Sequence, residues 1–216
     1  MQVNGDVIRI CEMHIDEYQD TICYEGKPCI YKPFVYFMMN KPPGIVSATK
    51  DDREETVMDF FQREYGKQHH NDFTGIPLKE MFPVGRLDKD TVGLLVLTND
   101  GELSHRILSP KNHISKTYYV RTDKAIPMEA VLEFQRGIHI SREEQCMPAE
   151  LKITADTEAY LTIKEGKFHQ VKRMFQQIGV QVIYLKRISM GKLLLPEDLT
   201  EGSVREMTEE EVNRLC

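Results

Sequence analysis

Pro83-Val84-Gly85-Arg86-Leu87-Asp88-Lys89-Asp90-Thr91-Val92-Gly93-Leu94-Leu95-Val96-Leu97-Thr98 passes from a polar, charged loop into an apolar run within a few residues. Val92 to Thr98 is nearly continuous in apolar side chains and reads as a strand. Asn99-Asp100-Gly101 then offers a turn and an N-cap for a helix through Leu108, which Ser109-Pro110 ends. Upstream, Val35 to Met39 reads as a second buried strand, closed by the turn Asn40-Lys41-Pro42-Pro43-Gly44. Downstream, strands are expected at Lys116 to Arg121, Leu151 to Ile153, Ala159 to Lys164 and Val180 to Ile188. Helices are expected at Glu54 to Arg63, Pro127 to Gln135 and His169 to Ile178. Strands outnumber helices and several follow one another directly. The expected class is therefore α+β, with a largely antiparallel mixed sheet flanked by helices.

Residues 1–32 read as short strands and turns ending at Lys32-Pro33, where a domain boundary is expected, leaving 33–216 as the main domain. Residues 63–80 read as a loop. Its His69-His70 pair is adjacent rather than three or four apart, so it makes no helical metal face.

Hydrophobic content of 41% and charged content of 29% are ordinary for a globular chain of 216 residues. The longest apolar runs are too short to span a bilayer, and the N-terminus lacks the features of a secretory signal. The five cysteines, Cys11, Cys23, Cys29, Cys146 and Cys216, never fall as Cys-x-x-Cys, so neither disulfides nor a zinc site is expected. A cytoplasmic location and no membrane partner follow as expectations.

The net charge of −6 conceals a pattern: residues 1–32 carry −3 and residues 197–216 carry −5, so the middle is +2. Lys164 to Lys192 holds seven basic residues and one acid, Glu165. A local basic surface can supply phosphate contacts in a chain acidic overall, although a solvated charged face is the commoner meaning of such a run.

Three stretches could carry chemistry. Asp88 lies on a glycine-bracketed loop that runs into a rigid strand; it is either a turn cap or a functional carboxylate. In Glu165-Gly166-Lys167-Phe168-His169-Gln170-Val171-Lys172-Arg173-Met174-Phe175, residues Val171, Met174, Phe175 and Ile178 share one helical face. That leaves His169, Lys172 and Arg173 on other faces. In Lys116-Thr117-Tyr118-Tyr119-Val120 the two tyrosines point to opposite sides of one strand, so one can face a ligand while the other packs.

Taken in order, Asn40-Lys41-Pro42-Pro43-Gly44, Gly85-Arg86-Leu87-Asp88 through Asn99-Asp100-Gly101, Ser104-His105-Arg106 with Lys116-Thr117-Tyr118, and Glu165 to Phe175 resemble the RsuA-type ribosomal RNA pseudouridine synthases. The resemblance runs from about Pro33 to Thr208. Residues 1–32 resemble the last part of the S4 RNA-binding domain that precedes the catalytic domain in that family.

The resemblance implies isomerisation of a uridine in ribosomal RNA with no metal, nucleotide or redox cofactor. The bond from C1′ to N1 breaks, the base turns, and C5 bonds to C1′. It makes Asp88 the catalytic carboxylate, Lys172 its cationic partner and Tyr118 the ring that stacks on the base. The carboxylate has three routes: attack on C1′, attack on C6, or removal of the C2′ proton to give a glycal-like intermediate. Substrate contacts are expected from Arg86, Lys41, Lys167, His169, Gln170 and Arg173, with Lys41 alternatively supporting the loop. Extruding a uridine costs a few kcal/mol, which stacking and phosphate contacts must offset. Phe168-His169 is closer to the small-subunit (16S) form than to large-subunit relatives, which tend to read Asn-Arg there. Ribosomal RNA, 16S in the first instance, or an assembly intermediate is thus the expected partner of a monomer. A 23S site is the alternative within the family, and a non-catalytic RNA-binding or ribosome-assembly protein the alternative outside it.

Overall fold

The computed structural model describes residues 1–9, 12–16, 19–29, 32–68 and 80–215. His69-His70 lies outside them. Strands β1 (Gln2–Val3), β2 (Asp6–Val7), β3 (Ile22–Tyr24) and β4 (Lys27–Cys29) form a small antiparallel sheet in the order β2-β1-β3-β4. The chain then enters a second sheet with β5 (Tyr36–Lys41), α1 (Val57–Gln68), β6 (Phe82–Pro83), β7 (Val92–Thr98), α2 (Gly101–Leu108) and β8 (Lys116–Thr122). It continues through α3 (Ala130–Arg136), β9 (Glu150–Ala155), β10 (Glu158–Ile163), α4 (Gln170–Gln177) and β11 (Val182–Met190). The last elements are β12 (Leu193–Leu194), β13 (Val204–Glu206) and α5 (Glu209–Asn213). The main path of this sheet is β13-β5-β7-β11-β8-β10-β9, with β6 on β7 and β12 on β11. Among the described strands every pairing is antiparallel except β7 with β11. This is the expected α+β mixed sheet. Ion pairing of Lys32 with Glu206 fastens the segment entering β5, and Asn99 holds it by accepting from Val35 N and donating to Pro33 O.

Strand β7 is buried along its whole length because it serves two cores. Leu95 and Leu97 pack with Phe37, Phe61, Phe134, Met174 and Phe175 on the face carrying α1, α3 and α4. Leu94 and Val96 pack with Met38, Leu103, Ile107 and Leu215 on the other. Alternate side chains of a strand point to opposite faces, so an unbroken apolar run is what a strand between two helix layers requires.

Helix α1 extends five residues beyond the expected end at Arg63, since Tyr65 packs against Phe37 and Phe61 at 5.2 and 5.4 Å. Arg63, Glu64 and Lys67, from the stretch expected as a loop, lie on its solvent side, where Glu64 pairs with the other two. Strand β13 and helix α5 lie in the acidic C-terminal stretch and were not expected. Thr208 and Glu211 make a reciprocal capping box there.

Two features position the end of β7 nearest Asp88. Gly93 has φ +102 and pairs with Arg187 of β11; a Cβ there would lie 2.3 Å from the Arg187 carbonyl oxygen. Lys41, the last residue of β5, is fully buried. Its ammonium donates to the carbonyls of Pro42, Asp88, Lys89 and Thr91 at 3.1, 3.2, 3.2 and 3.0 Å. Gly44 N donates to Lys89 O, and Ser47 bonds both N and O of Leu87 through its hydroxyl. The loop carrying Asp88 is therefore held by its backbone.

Gly93→Ala is expected to cost roughly 3 kcal/mol or more, from backbone strain and the clash together. A thermal melt within a few degrees of wild type would contradict the tight β7–β11 approach. Lys41→Met leaves loop carbonyls short of a donor and should cost about 3 kcal/mol in urea unfolding. An unchanged midpoint would show that the clamp contributes nothing.

Candidate active site

The loop after β6 and the start of α4 meet over one face of β8 and β11, lining a cavity of about 570 Å³. Asp88, Tyr118, Leu185 and His169 all line it. The Asp88 carboxylate lies 3.1 Å from the Lys172 ammonium and 3.6 Å from His169 Nε2. Lys172 also bonds Asp90 at 2.5 Å, so one ammonium bridges two carboxylates. Partial burial acts to lower the Lys172 pKa, and the bonds to Asp90 and Asp88 outweigh it, leaving it above the ordinary lysine value. Asp90 mirrors this: burial acts to raise its carboxyl, and the Lys172 hydrogen bond and charge hold it below the usual range.

Helix α4 places these groups through its packing. Val171, Met174 and Phe175 are buried in the larger core, which turns Lys172 towards Asp88. His169 caps the helix in the left-handed region, φ 47, without a side-chain capping bond. Its ring stacks on Phe168 with centroids 3.9 Å apart, and Phe168 itself is 74% exposed at the cavity wall.

Tyr118 is buried in the expected way, its ring lining the cavity, whereas Tyr119 packs on the opposite face beside Tyr160 and Tyr184 at 5.6 and 6.1 Å. Arg86 is exposed at the cavity and has no hydrogen-bond or ion-pair partner among the described residues. Lys167 lines the cavity and donates to Gln145 O at 2.8 Å. Gln170 lines it too, but its amide is committed within the chain. Its Oε1 accepts from Lys167 N and its Nε2 donates to Glu165, both at 2.9 Å.

Of the expected substrate contacts, Lys41 takes its loop-supporting alternative and Arg173 is corrected. Lys41 is sealed under the Asp88 loop with its ammonium spent on four carbonyls, so it supports the loop and does not reach a substrate. Burial pushes that ammonium down to about 8, against the opposing pull of Asp90 and Asp88. Arg173 is not among the cavity-lining residues. Its guanidinium bonds Glu144 at 2.7 Å and the carbonyls of Phe168 and Ile140, which pins the 140–144 turn to α4.

Asp90, Lys116 and Arg187 belong to the site or its walls and were not singled out from sequence. Arg187 had a signal: a cation at an inward position of an otherwise alternating strand. Six basic residues line the cavity, namely Arg86, Lys89, Lys116, Lys164, Lys167 and Arg187, against the acids Asp51, Asp88 and Glu165. The cleft is thus electropositive in a chain of net charge −6.

Residues 35–177 match the family model for RNA pseudouridylate synthase. The uncharacterized RNA pseudouridine synthase YtzG of Bacillus subtilis (strain 168) is 42% identical, covering 100% of this chain and 87% of its own. Ribosomal small subunit pseudouridine synthase A of Escherichia coli (strain K12) is 36% identical over 97% of this chain and 86% of its own length. The crystal structure of a pseudouridylate synthase, 36% identical, superposes with a TM-score of 0.75 over 100% of this chain and 88% of that one. With the Asp88 loop, Tyr118 and α4 all inside the matched span, the chain belongs to the RNA pseudouridylate synthase family.

Proposed function

We propose that this enzyme isomerises a uridine of ribosomal RNA to pseudouridine, with 16S rRNA, free or partly assembled into the small subunit, as its substrate. The observation that carries the reading is the Asp88 carboxylate held 3.1 Å from Lys172 in a cavity that also presents the Tyr118 ring. A cavity of about 570 Å³ suits one extruded nucleotide. The small-subunit preference draws on relatives named ribosomal small subunit pseudouridine synthase A, at 36% identity in Escherichia coli and 40% in Vibrio cholerae.

In this reading Asp88 acts as the carboxylate of the isomerisation, and Lys172, 3.1 Å away, orients it while the glycosidic bond breaks. Tyr118 stacks on the uracil as it turns, with Leu185 beside it in the same wall, and the proton released from C5 is balanced by the one gained at N1. Arg86, exposed at the cavity and without a partner among the described residues, reaches the RNA strand where the base has left the stack. Residues 1–32, a sheet of their own, serve as the last part of an S4-like RNA-binding module.

Asp88→Asn should lower pseudouridine formation by roughly 10⁴-fold while leaving RNA affinity within a few-fold. Product formed at the wild-type rate would remove Asp88 from the chemistry. Primer-extension mapping of 16S and 23S rRNA after incubation with the protein tests the substrate, and a stop confined to 23S rRNA would replace 16S. Lys172→Met should slow the reaction about 10²–10³-fold, with Lys172→Arg recovering most of the rate. It should also move the Asp90 carboxyl upwards in an NMR titration, because burial then acts without the opposing cation. An Asp90 titration unchanged by the substitution would break the proposed pairing.

A further inference from the structure

Arg187 lies in the middle of the large sheet, 2% exposed, and only part of its guanidinium is satisfied. Its Nε donates to Leu94 O at 2.7 Å, whereas Nη2 is buried and has no hydrogen-bond partner. An arginine carries its charge at every accessible pH, so a buried, unused donor on it calls for an acceptor. Lys116 stands beside it. Arg187 pairs across β11 and β8 with Tyr118, and Lys116 sits two residues before Tyr118 on the same face. The Lys116 ammonium donates to Ile114 O at 3.0 Å; burial and the Arg187 charge together push it down to about 8. Neither cation forms an ion pair with a carboxylate among the described residues.

Both residues line the cavity that holds Asp88, and the acids of that cavity are already engaged. Asp88 pairs with Lys172, Glu165 accepts from Met147 N and Gln170, and Asp51 accepts from the backbone N–H groups of Arg53 and Glu54. The positive charge at this end of the cavity is therefore uncompensated by the protein. Two half-buried or buried cations in one wall, with donors to spare, are a site for an anion that arrives with the ligand.

We propose that Lys116 and Arg187 form an anion subsite that takes the non-bridging oxygens of one phosphodiester flanking the target uridine. This rests on the reading that an RNA strand enters the cleft. A uracil carbonyl could accept one hydrogen bond but would leave two positive charges unbalanced, and the base has its own apolar lining in Tyr118, Ile163 and Leu185. A phosphate answers both needs. It also fixes the ribose of the extruded nucleotide relative to Asp88, because the sugar hangs from that phosphate.

The test uses a 16S rRNA fragment spanning the mapped uridine, with single neutral methylphosphonates placed one at a time at the phosphates around it. One position should weaken binding to the wild-type protein about tenfold to a hundredfold. Lys116→Met, which leaves the Arg187–Leu94 bond in place, should bind the unmodified RNA more weakly and lose most of that penalty. The slope of log affinity on log salt should shrink by about 0.7 in the variant. A full penalty retained in a folded Lys116→Met overturns the subsite. So does a wild-type scan in which no single phosphate matters, and that scan decides alone if the variant does not fold. Pseudouridine formed in the unmodified RNA with no sensitive phosphate sinks the subsite only. Failure of the wild-type protein both to bind and to modify RNA sinks the proposed function, and the subsite with it.

Discussion

A buried ammonium organises the centre of this molecule. Lys41 gives up hydration, a costly step for a charged group, and recovers it from the carbonyls of Pro42, Asp88, Lys89 and Thr91. Three of those carbonyls belong to the loop that carries Asp88. Because the loop is gripped by its backbone, neither the Asp88 nor the Asp90 side chain is needed to fold it. Both carboxylates are free to meet Lys172 instead. The separation explains how a residue type that usually caps its own turn can be turned outward into a cavity. Ser47 and Gly44 complete the grip from the same upstream segment, so the turn after β5 and the loop before β7 behave as one unit.

Charge follows a similar division between whole and part. The acidic ends lower the total to −6, yet the cavity collects six basic side chains against three acids. Two of the C-terminal acids are paired locally: Glu211 bonds Arg205, and Glu210 bonds Arg214 at the end of α5. A low-dielectric cleft lined by one sign of charge focuses its field on what enters, while exposed charges at more than about 10 Å are screened at ordinary salt. The net charge of the chain is consequently a poor guide to its partner, and the composition of the cleft is a good one.

Much of the architecture could be read from periodicity. The run at Val92–Thr98 is the central strand over the residues expected, and Asp100 caps α2 through Leu103 N. The i, i+3, i+4 spacing of Val171, Met174 and Phe175 identified the buried face of α4. The failures have physical causes. Residues 63–68 are helical because Tyr65 anchors them to a distant core, which a local count of polar residues cannot register. Strand β13 is three residues long and exists through its pairing with β5, a contact more than 160 residues away in sequence. Arg173 was expected to touch substrate, and Lys41 was left between substrate and loop, because residue type says nothing about which carbonyls or carboxylates will be folded around them. Arg187 was passed over despite its inward place in the strand, since a cation within a basic run looks solvated until the sheet closes over it.

The same core that holds α4 sets the register of the chemistry. Successive helical residues are rotated by about 100°, so burial of Val171, Met174 and Phe175 leaves one direction for Lys172, and that direction ends 3.1 Å from Asp88. A slip of one residue would bury a charge and carry the ammonium away from both carboxylates. The start of the helix bears the strain of this arrangement. His169 adopts φ 47, an uncommon conformation for a residue with a side chain, and in doing so brings Nε2 to 3.6 Å from the same carboxylate. Loops at functional sites commonly trade local stability for placement, and here the debt is carried by an apolar face rather than by polar bonds. Hydrophobic packing, which knows nothing of the substrate, thereby determines which two side chains of α4 and its cap, Lys172 and His169, face Asp88.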